Sequence, residues 1–263
     1  MLVETNGIKI HCELSGQTEA PVVVLSHSLG SSMVMWEPQL AVLEPVFHVL
    51  RYDMRGHGAS GVTKGAYSLE MLSQDVVGLL DALEIEKVHF VGLSIGGMLG
   101  QGLGVNHAQR LLSLTLCDTA PILPEEAKPL FRERMDLARS QGMASLAEGT
   151  LARWFTPPFL EKAPSMVSRI RSQIKDTPVD GFIGCSHAIL DLNYFDRLAA
   201  IDLDTLIIVG EDDPGTPVAA AKAIHAEIRN SRLKVLPSAM HLCNIEQADA
   251  FNKVLMDFLT NVA

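Results

Sequence analysis

Residues 87–104 read KVHFVGLSIGGMLGQGLG, and this stretch decides the fold. The apolar run at 88–93 is typical of a strand that is buried on both faces of a parallel sheet. Ser94 then follows in the pattern G-x-S-x-G, in which a strand turns sharply into a helix. A helix that begins at Ile95 places its N-terminal amides beside the serine hydroxyl, where a developing oxyanion would be stabilised. Ser94 is therefore the candidate nucleophile.

Apolar runs alternate with helical patterns on both sides of this stretch. Asn6-Gly7 is the favoured dipeptide of a two-residue hairpin turn, so the chain is expected to start with an antiparallel edge hairpin. The alternation that follows predicts right-handed crossovers and a mostly parallel sheet flanked by helices. Further strands are predicted at 22–26, 46–52, 111–117, 205–209 and 233–236, and helices at 36–43, 69–83, 95–108, 217–228 and 245–259.

The alternation breaks down over residues 122–198. Prolines interrupt short helical patterns there, and no buried strand is evident. The segment lies between two predicted strands, which is the position of a cap over the carboxyl ends of a sheet. We therefore predict an α/β core formed by 1–121 and 199–263, with 122–198 as a helical cap.

Composition excludes several classes of function. A chain of 263 residues with 48% hydrophobic content has room for one large core and a smaller insertion. The formal charge of −10 opposes binding to nucleic acid or to an anionic membrane. The four cysteines have no C-x-x-C spacing, and no metal-ligand or nucleotide motif stands out, so neither a metal nor a cofactor is expected. A cytoplasmic location is predicted, because no signal peptide or membrane-spanning stretch is evident.

A nucleophilic serine needs a base that accepts its proton and an acid that orients the base. Asp213 follows the predicted strand at 205–209, and His241 follows the one at 233–236. The chain order Ser, Asp, His is that of the α/β-hydrolases. We therefore predict a catalytic triad of Ser94, Asp213 and His241.

Other residues compete for some of these roles. Asp118, which follows the strand after the nucleophile, is the reserve acid, and Asp212 is a weaker one. The other histidines considered as base are His27, His57 and His225.

The oxyanion hole is expected to use two backbone amides. One is the amide of Ile95, which follows the nucleophile in the chain. The other is that of Leu29, in the loop after the early strand at 22–26.

The chain resembles the α/β-hydrolases and, among them, the 3-oxoadipate enol-lactonases. The resemblance runs nearly end to end through short motifs. The more discriminating ones are Arg-Trp-Phe-Thr at 153–156 and His-x-x-Asn-Ile-Glu at 241–246; the others are at 28–30, 35–36, 50–53, 55–58, 92–94 and 247–248.

This resemblance implies a cofactor-independent hydrolase that opens a small lactone carrying a carboxylate. Because the protein is strongly acidic, such a substrate needs a local cation. We expect Arg153 and Trp154, neighbours in the predicted cap, to be the substrate-binding residues, with Arg153 binding the carboxylate. The alternatives are a general carboxylesterase, a perhydrolase and a ligand receptor with the same fold. The oligomeric state is left open.

Overall fold

The computed structural model describes residues 1–262, which form an eight-stranded sheet with helices packed against it. The strand order is β1-β2-β4-β3-β5-β6-β7-β8. Strands β3 to β8 run parallel to one another, whereas β2 is antiparallel to β4 and β1 to β2. The strands are β1 (Leu2–Thr5), β2 (Ile8–Gly16), β3 (Val22–Ser26), β4 (His48–Tyr52), β5 (Val88–Leu93), β6 (Leu111–Cys117), β7 (Thr205–Gly210) and β8 (Ser231–Leu236). The predicted mostly parallel sheet is confirmed.

The predicted hairpin forms the first edge of the sheet. Asn6 and Gly7 have φ angles of 45° and 76°, the left-handed conformation that a two-residue turn requires. The turn pairs Thr5 with Ile8 and sets the antiparallel register of β1 on β2.

Eleven α-helices lie within the described residues. Helix α3 packs on β5 and β6, α9 and α11 pack on β7 and β8, and α2 packs against α3. The helices are α1 (Glu37–Leu43), α2 (Leu69–Ala82), α3 (Ile95–Asn106), α4 (Lys128–Gln141), α5 (Ala147–Trp154), α6 (Pro157–Lys162), α7 (Pro164–Asp176), α8 (Val179–Leu190), α9 (Val218–Glu227), α10 (Cys243–Glu246) and α11 (Ala248–Leu259). None of the helices in residues 1–262 is long and apolar enough to cross a membrane.

Several predicted boundaries are off by one or two residues, such as β8, which begins at Ser231, and α3, which ends at Asn106. Two differences have a clear local reason. Strand β4 begins at His48 rather than at Val46, because the amides of Val46 and Phe47 both donate to the carbonyl oxygen of Leu43 at the end of α1. The last predicted helix is two helices, α10 and α11. They are separated at Gln247, whose φ of −121° and ψ of 49° lie outside the helical region.

The chain between β6 and β7 is helical in the described residues. Apart from helices and turns it contains one isolated bridge, between Ile122 and Asn193. Helix α4 packs against α8, and α5 packs against α7. We refer to residues 122–198 as the cap segment; its treatment as a separate unit stays a prediction.

Candidate active site

The carboxyl ends of the parallel strands bring the predicted site residues to one edge of the sheet. Leu29 follows β3, Ser94 follows β5 and Asp118 follows β6, while Asp213 and His241 follow β7 and β8. This edge is where open α/β sheets bind ligands.

Ser94 occupies a sharp turn between β5 and α3. Its φ of 59° and ψ of −118° are unusual for a residue with a side chain and mark a strained elbow. A Cβ on Gly92 would lie 2.1 Å from the carbonyl oxygen of Gly96, so only glycine fits there. The end of β6 holds the elbow, since the Ser94 amide donates to Cys117 at 2.9 Å and the Thr119 hydroxyl donates to the Ser94 carbonyl at 2.9 Å.

His241 and Asp213 form a buried hydrogen-bonded pair. Nδ1 of His241 lies 2.8 Å from Oδ2 of Asp213. Asp213 also accepts hydrogen bonds from the amides of Gly215 (2.8 Å) and Thr216 (3.2 Å) and from the Thr216 hydroxyl (2.5 Å). The Thr216 hydroxyl also lies 3.4 Å from Nδ1 of His241. Thr216 has no sequence motif of its own, so the sequence did not indicate it.

The surroundings of this pair move the two pKa values in opposite directions. Burial by itself favours a protonated Asp213, but the charge of His241 and the hydrogen bonds outweigh it and lower the pKa of Asp213 to about 2. Burial likewise opposes charge on His241, but the Asp213 carboxylate raises the pKa of this imidazole above its usual value. Asp213 is therefore an anion that stabilises the imidazolium.

The second nitrogen of His241 is available to the serine. Because Nδ1 is bonded to Asp213, Nε2 is the nitrogen left to accept a proton. Ser94 and His241 are each 8% exposed, so a small molecule can reach both. Within residues 1–262, no hydrogen bond joins Ser94 Oγ to His241 Nε2. The structure thus brings His241 and Asp213 into contact, and the catalytic use of the triad stays a prediction.

The two amides predicted to form the oxyanion hole are free to bind a ligand. Among residues 1–262, neither the Leu29 amide nor the Ile95 amide donates to a protein acceptor. The next amide in the early loop, that of Gly30, donates to Nε2 of His57 at 3.0 Å. His57 therefore supports the loop that presents Leu29.

His27 supports the same loop from its other side. Its Nδ1 lies 2.8 Å from the carbonyl oxygen of Ser28, and its Nε2 accepts from the amide of Met54 at 2.9 Å. Burial lowers the pKa of His27 below its usual value. It lowers the pKa of His57 to about 3. Both rings are neutral at pH 7 and hold backbone groups, which does not suit the role of base.

The remaining competitors lie in other environments. Asp118 accepts from the amide of Gly210 at 2.7 Å and makes no hydrogen bond to His241 in the described residues. Asp212 is exposed, and His225 pairs with Ser231 at 2.7 Å. Among the candidate acids and bases in residues 1–262, Asp213 and His241 are the pair in contact.

Trp154 of the cap segment stacks on the candidate base. The two ring centroids are 6.3 Å apart and the planes differ by 28°. The carbonyl oxygen of Trp154 accepts from the amide of Leu242 at 3.2 Å, which binds α5 to the loop that carries His241.

Glu246 makes a second connection between that loop and the cap segment. One carboxylate oxygen accepts from the amide of Met240 at 2.8 Å, and the other from the amide of Thr156 at 2.9 Å and from the Thr156 hydroxyl. The two discriminating motifs therefore touch each other, which the sequence alone did not indicate.

Arg153 precedes Trp154 at the end of α5 and is partly buried. Burial lowers the pKa of its guanidinium. Its predicted role in substrate binding stays a prediction.

Similarity to known proteins agrees with this geometry. The α/β-hydrolase fold family matches residues 21–248. The chain belongs to this family. It is 35% identical over 90% of its length to 3-oxoadipate enol-lactonase 2 of Acinetobacter baylyi, of which it covers 88%. The crystal structure of the enol-lactonase from Burkholderia xenovorans LB400 has a TM-score of 0.96 and 38% identity, with 99% of this chain and 100% of that chain covered.

A second group within the α/β-hydrolases is also similar. A protein named as the carbamate hydrolase RutD, from Variovorax paradoxus, is 30% identical, with 97% of each chain covered. The fold class, the assignment as a hydrolytic enzyme and the resemblance to 3-oxoadipate enol-lactonases are confirmed.

Proposed function

We propose that this hydrolase opens 3-oxoadipate enol-lactone to 3-oxoadipate through an acyl-enzyme on Ser94. The hydrogen-bonded pair of His241 and Asp213 supports the proposal most strongly. Because Nδ1 is bonded to Asp213, Nε2 is left to accept a proton, and it lies at the edge of the sheet that bears the serine elbow. The choice of 3-oxoadipate enol-lactone as the substrate is supported by sequence identities of 35% and 38% to enol-lactonases.

In the first half of the reaction, Ser94 Oγ attacks the lactone carbonyl carbon while His241 Nε2 accepts the serine proton. The amides of Leu29 and Ile95 hold the resulting oxyanion. Collapse of the tetrahedral intermediate breaks the ring C–O bond and expels the enolate. The enolate takes the proton held on His241 Nε2 and becomes a ketone, which returns the imidazole to its neutral form. The stability of this ketone makes the ring opening favourable.

In the second half, a water molecule attacks the acyl-enzyme. His241 accepts a proton from the water and returns one to Ser94 Oγ as the C–O bond to the enzyme breaks. The product is a dicarboxylate, and the enzyme is restored without a cofactor. Asp213 remains charged throughout and stabilises the imidazolium in both halves.

The test uses Ser94→Ala with Ser140→Ala as its matched control, because Ser140 is an exposed serine on α4. Turnover is followed as the loss of the enol-lactone's ultraviolet absorbance. We expect Ser94→Ala to reduce kcat by about 10⁴-fold or more and Ser140→Ala to change nothing. Retained turnover in Ser94→Ala would rule out the acyl-enzyme.

Substrate class is tested separately with p-nitrophenyl acetate. Hydrolysis of this ester without turnover of the lactone would favour a general carboxylesterase. The similarity to RutD makes a carbamate the next compound to assay. A protein that turns over none of these but still binds the lactone would be a receptor.

A further inference from the structure

Arg134 on α4 lies on the side of the cap segment that faces the catalytic residues. Its guanidinium carbon is 5.5 Å from the centre of the Phe182 ring, and Nη2 donates to the Thr150 hydroxyl at 3.3 Å. Phe182 lies beside the oxyanion loop, because a Cβ on Gly30 would come 3.9 Å from its ring. Thr150 is one helical turn before Trp154, which stacks on the candidate base.

The charge of Arg134 also reaches the candidate base. It opposes protonation of His241, lowering the pKa of that imidazole against the larger, opposite influence of Asp213. Position and electrostatics therefore agree that Arg134 belongs to the surroundings of the site.

This cation has no anionic partner among residues 1–262. None of the ion pairs in the described part of the chain includes Arg134. Its Nε is fully enclosed, and no protein group accepts from it. Burial lowers the pKa of Arg134 to about 9, and the nearby charge of Arg153 adds to the effect. The neighbouring charge that acts on Arg134 is thus the cation Arg153, whereas a buried guanidinium is usually paired with a carboxylate.

Arg55 shows how the same chain treats an arginine that is buried as a whole, whereas Arg134 is half-buried with an enclosed Nε. Its Nε and Nη2 donate to the two carboxylate oxygens of Asp75, each at 2.7 Å. This two-point pairing offsets the cost of removing the guanidinium from water. Arg134 has the same fork but leaves Nε without an acceptor. An arginine of this kind is suited to an anion supplied from outside the chain.

We propose that Arg134 is the residue that binds the free carboxylate of the substrate and sets the preference for an acidic lactone over a neutral ester. This inference rests on the proposed function. Arg153 then acts as a neighbouring cation that strengthens the local field. A local pair of cations is required because the protein as a whole, with a formal charge of −10, repels an anionic substrate.

The test compares Arg134→Met with Arg132→Met, which removes an exposed arginine from the same helix. For the enol-lactone we expect Arg134→Met to raise KM roughly 10- to 100-fold, the loss expected for a hydrogen bond to a charged group. The kcat should change less, and hydrolysis of p-nitrophenyl acetate, which carries no carboxylate, should lose at least about fivefold less in kcat/KM than turnover of the lactone. Arg132→Met should match the parent protein on both substrates.

Two further variants separate charge, geometry and position. Arg134→Lys keeps the charge but loses the fork, so its KM should lie between those of the parent and Arg134→Met. Arg153→Met should raise KM less than Arg134→Met does. The reverse order would overturn the assignment, because the carboxylate would then be bound by Arg153.

Thermal unfolding distinguishes a binding role from a structural one. Arg134→Met removes a cation that has no carboxylate partner, so its Tm should equal or exceed that of the parent. A lower Tm combined with equal losses on the lactone and on p-nitrophenyl acetate would mean that Arg134 only supports the cap segment. That result would overturn the proposal.

A competition assay keeps this inference distinguishable from the proposed function. Adipate, a six-carbon dicarboxylate, should inhibit p-nitrophenyl acetate hydrolysis by the parent protein and inhibit Arg134→Met at least tenfold less. If the parent does not turn over the lactone, the proposed function fails and this assay decides alone. Absent inhibition of the parent, or equal inhibition of both proteins, would then overturn the carboxylate site.

Discussion

Two buried carboxylates stand at the ends of neighbouring strands, Asp118 after β6 and Asp213 after β7, and their surroundings differ sharply. Asp213 receives three hydrogen bonds from Gly215 and Thr216 and contacts His241. Asp118 receives one amide hydrogen bond through Oδ1, and within residues 1–262 its Oδ2 accepts none from a nitrogen or oxygen donor. The Cys243 thiol lies beside this carboxyl. The pKa of Asp213 is lowered to about 2, whereas burial and then the charge of Asp213 raise that of Asp118 well above its usual range.

The difference shows that a position at the end of a strand does not by itself give an aspartate the charge and the contact needed to orient His241. Both residues lie at the correct edge of the sheet, but only the loop after β7 supplies enough donors to keep a buried carboxylate charged. Once Asp213 is charged, a second charge at Asp118 is disfavoured. The Asp118 carboxyl therefore keeps its proton to a higher pH than Asp213 does, and Asp213 is the acid that contacts His241.

The largest expected effect is the difference in catalytic activity between a variant of Asp213 and a variant of Asp118. Asp213→Asn should reduce kcat by about 10⁴-fold, because an amide at this position favours the wrong imidazole tautomer and cannot stabilise the imidazolium. Asp118→Asn should stay within about threefold of the parent, since Asp118 makes no hydrogen bond to His241 in the described residues. Both are measured by hydrolysis of p-nitrophenyl acetate. Comparable losses in the two variants would contradict the distinction.

An intermediate effect is expected in the pH profile of kcat/KM. The Asp213 carboxylate raises the pKa of His241, so activity should begin to fall at a pH above 6.5. Each further unit of acidity should reduce kcat/KM tenfold, because a protonated imidazole cannot accept the serine proton. The neutral p-nitrophenyl acetate serves as substrate, which avoids titration of the substrate itself.

The same profile for Asp118→Asn tests whether the second acid contributes charge. We expect the acid limb to keep its position, because burial and the charge of Asp213 disfavour ionisation of Asp118. A displacement of one pH unit in this variant would show that Asp118 is ionised near His241.

The smallest expected effect is on stability. A carboxyl whose pKa is raised in the folded state keeps its proton where the unfolded chain has lost it. The contribution of this carboxyl to the free energy of unfolding is therefore greatest below its pKa in the unfolded chain. As the pH rises from there toward its pKa in the folded protein, the contribution declines by up to about 1.4 kcal/mol per pH unit. Asparagine does not titrate, so Asp118→Asn should avoid this decline.

Urea unfolding at pH 5 and pH 8 measures the effect. The stability of Asp118→Asn relative to the parent should increase between these two values by at least about 1 kcal/mol. A difference that is independent of pH would mean that Asp118 titrates normally in the folded protein.

Much of the fold and the candidate triad could be predicted because the signals are local. The apolar runs at 88–93 and 205–209 correspond to fully buried strands, and the order Ser94, Asp213, His241 needs only the ends of those strands. The choice between Asp213 and Asp118 was weighed from chain order, and the structure supplies its physical reason in the hydrogen bonds around each carboxylate.

Contacts between distant residues could not be predicted. Glu246 and Thr156 are 90 residues apart, and nothing in either motif indicates that they meet. Arg134 is one of 21 lysines and arginines, and only the folded chain shows that, within residues 1–262, its Nε is enclosed without an acceptor. Such properties depend on which side chains are absent from a neighbourhood, and a sequence pattern does not report that.

The carboxylate of Glu246 has a consequence for attempts to alter substrate range by exchanging cap segments between hydrolases. It joins the loop of His241 to Thr156, and the adjoining Trp154 covers the imidazole. A graft that lacks a matching amide and hydroxyl would leave this carboxylate half satisfied next to the base and would loosen the ring it helps to position. Chimaeras should therefore carry the cap and the 240–246 loop from a single donor.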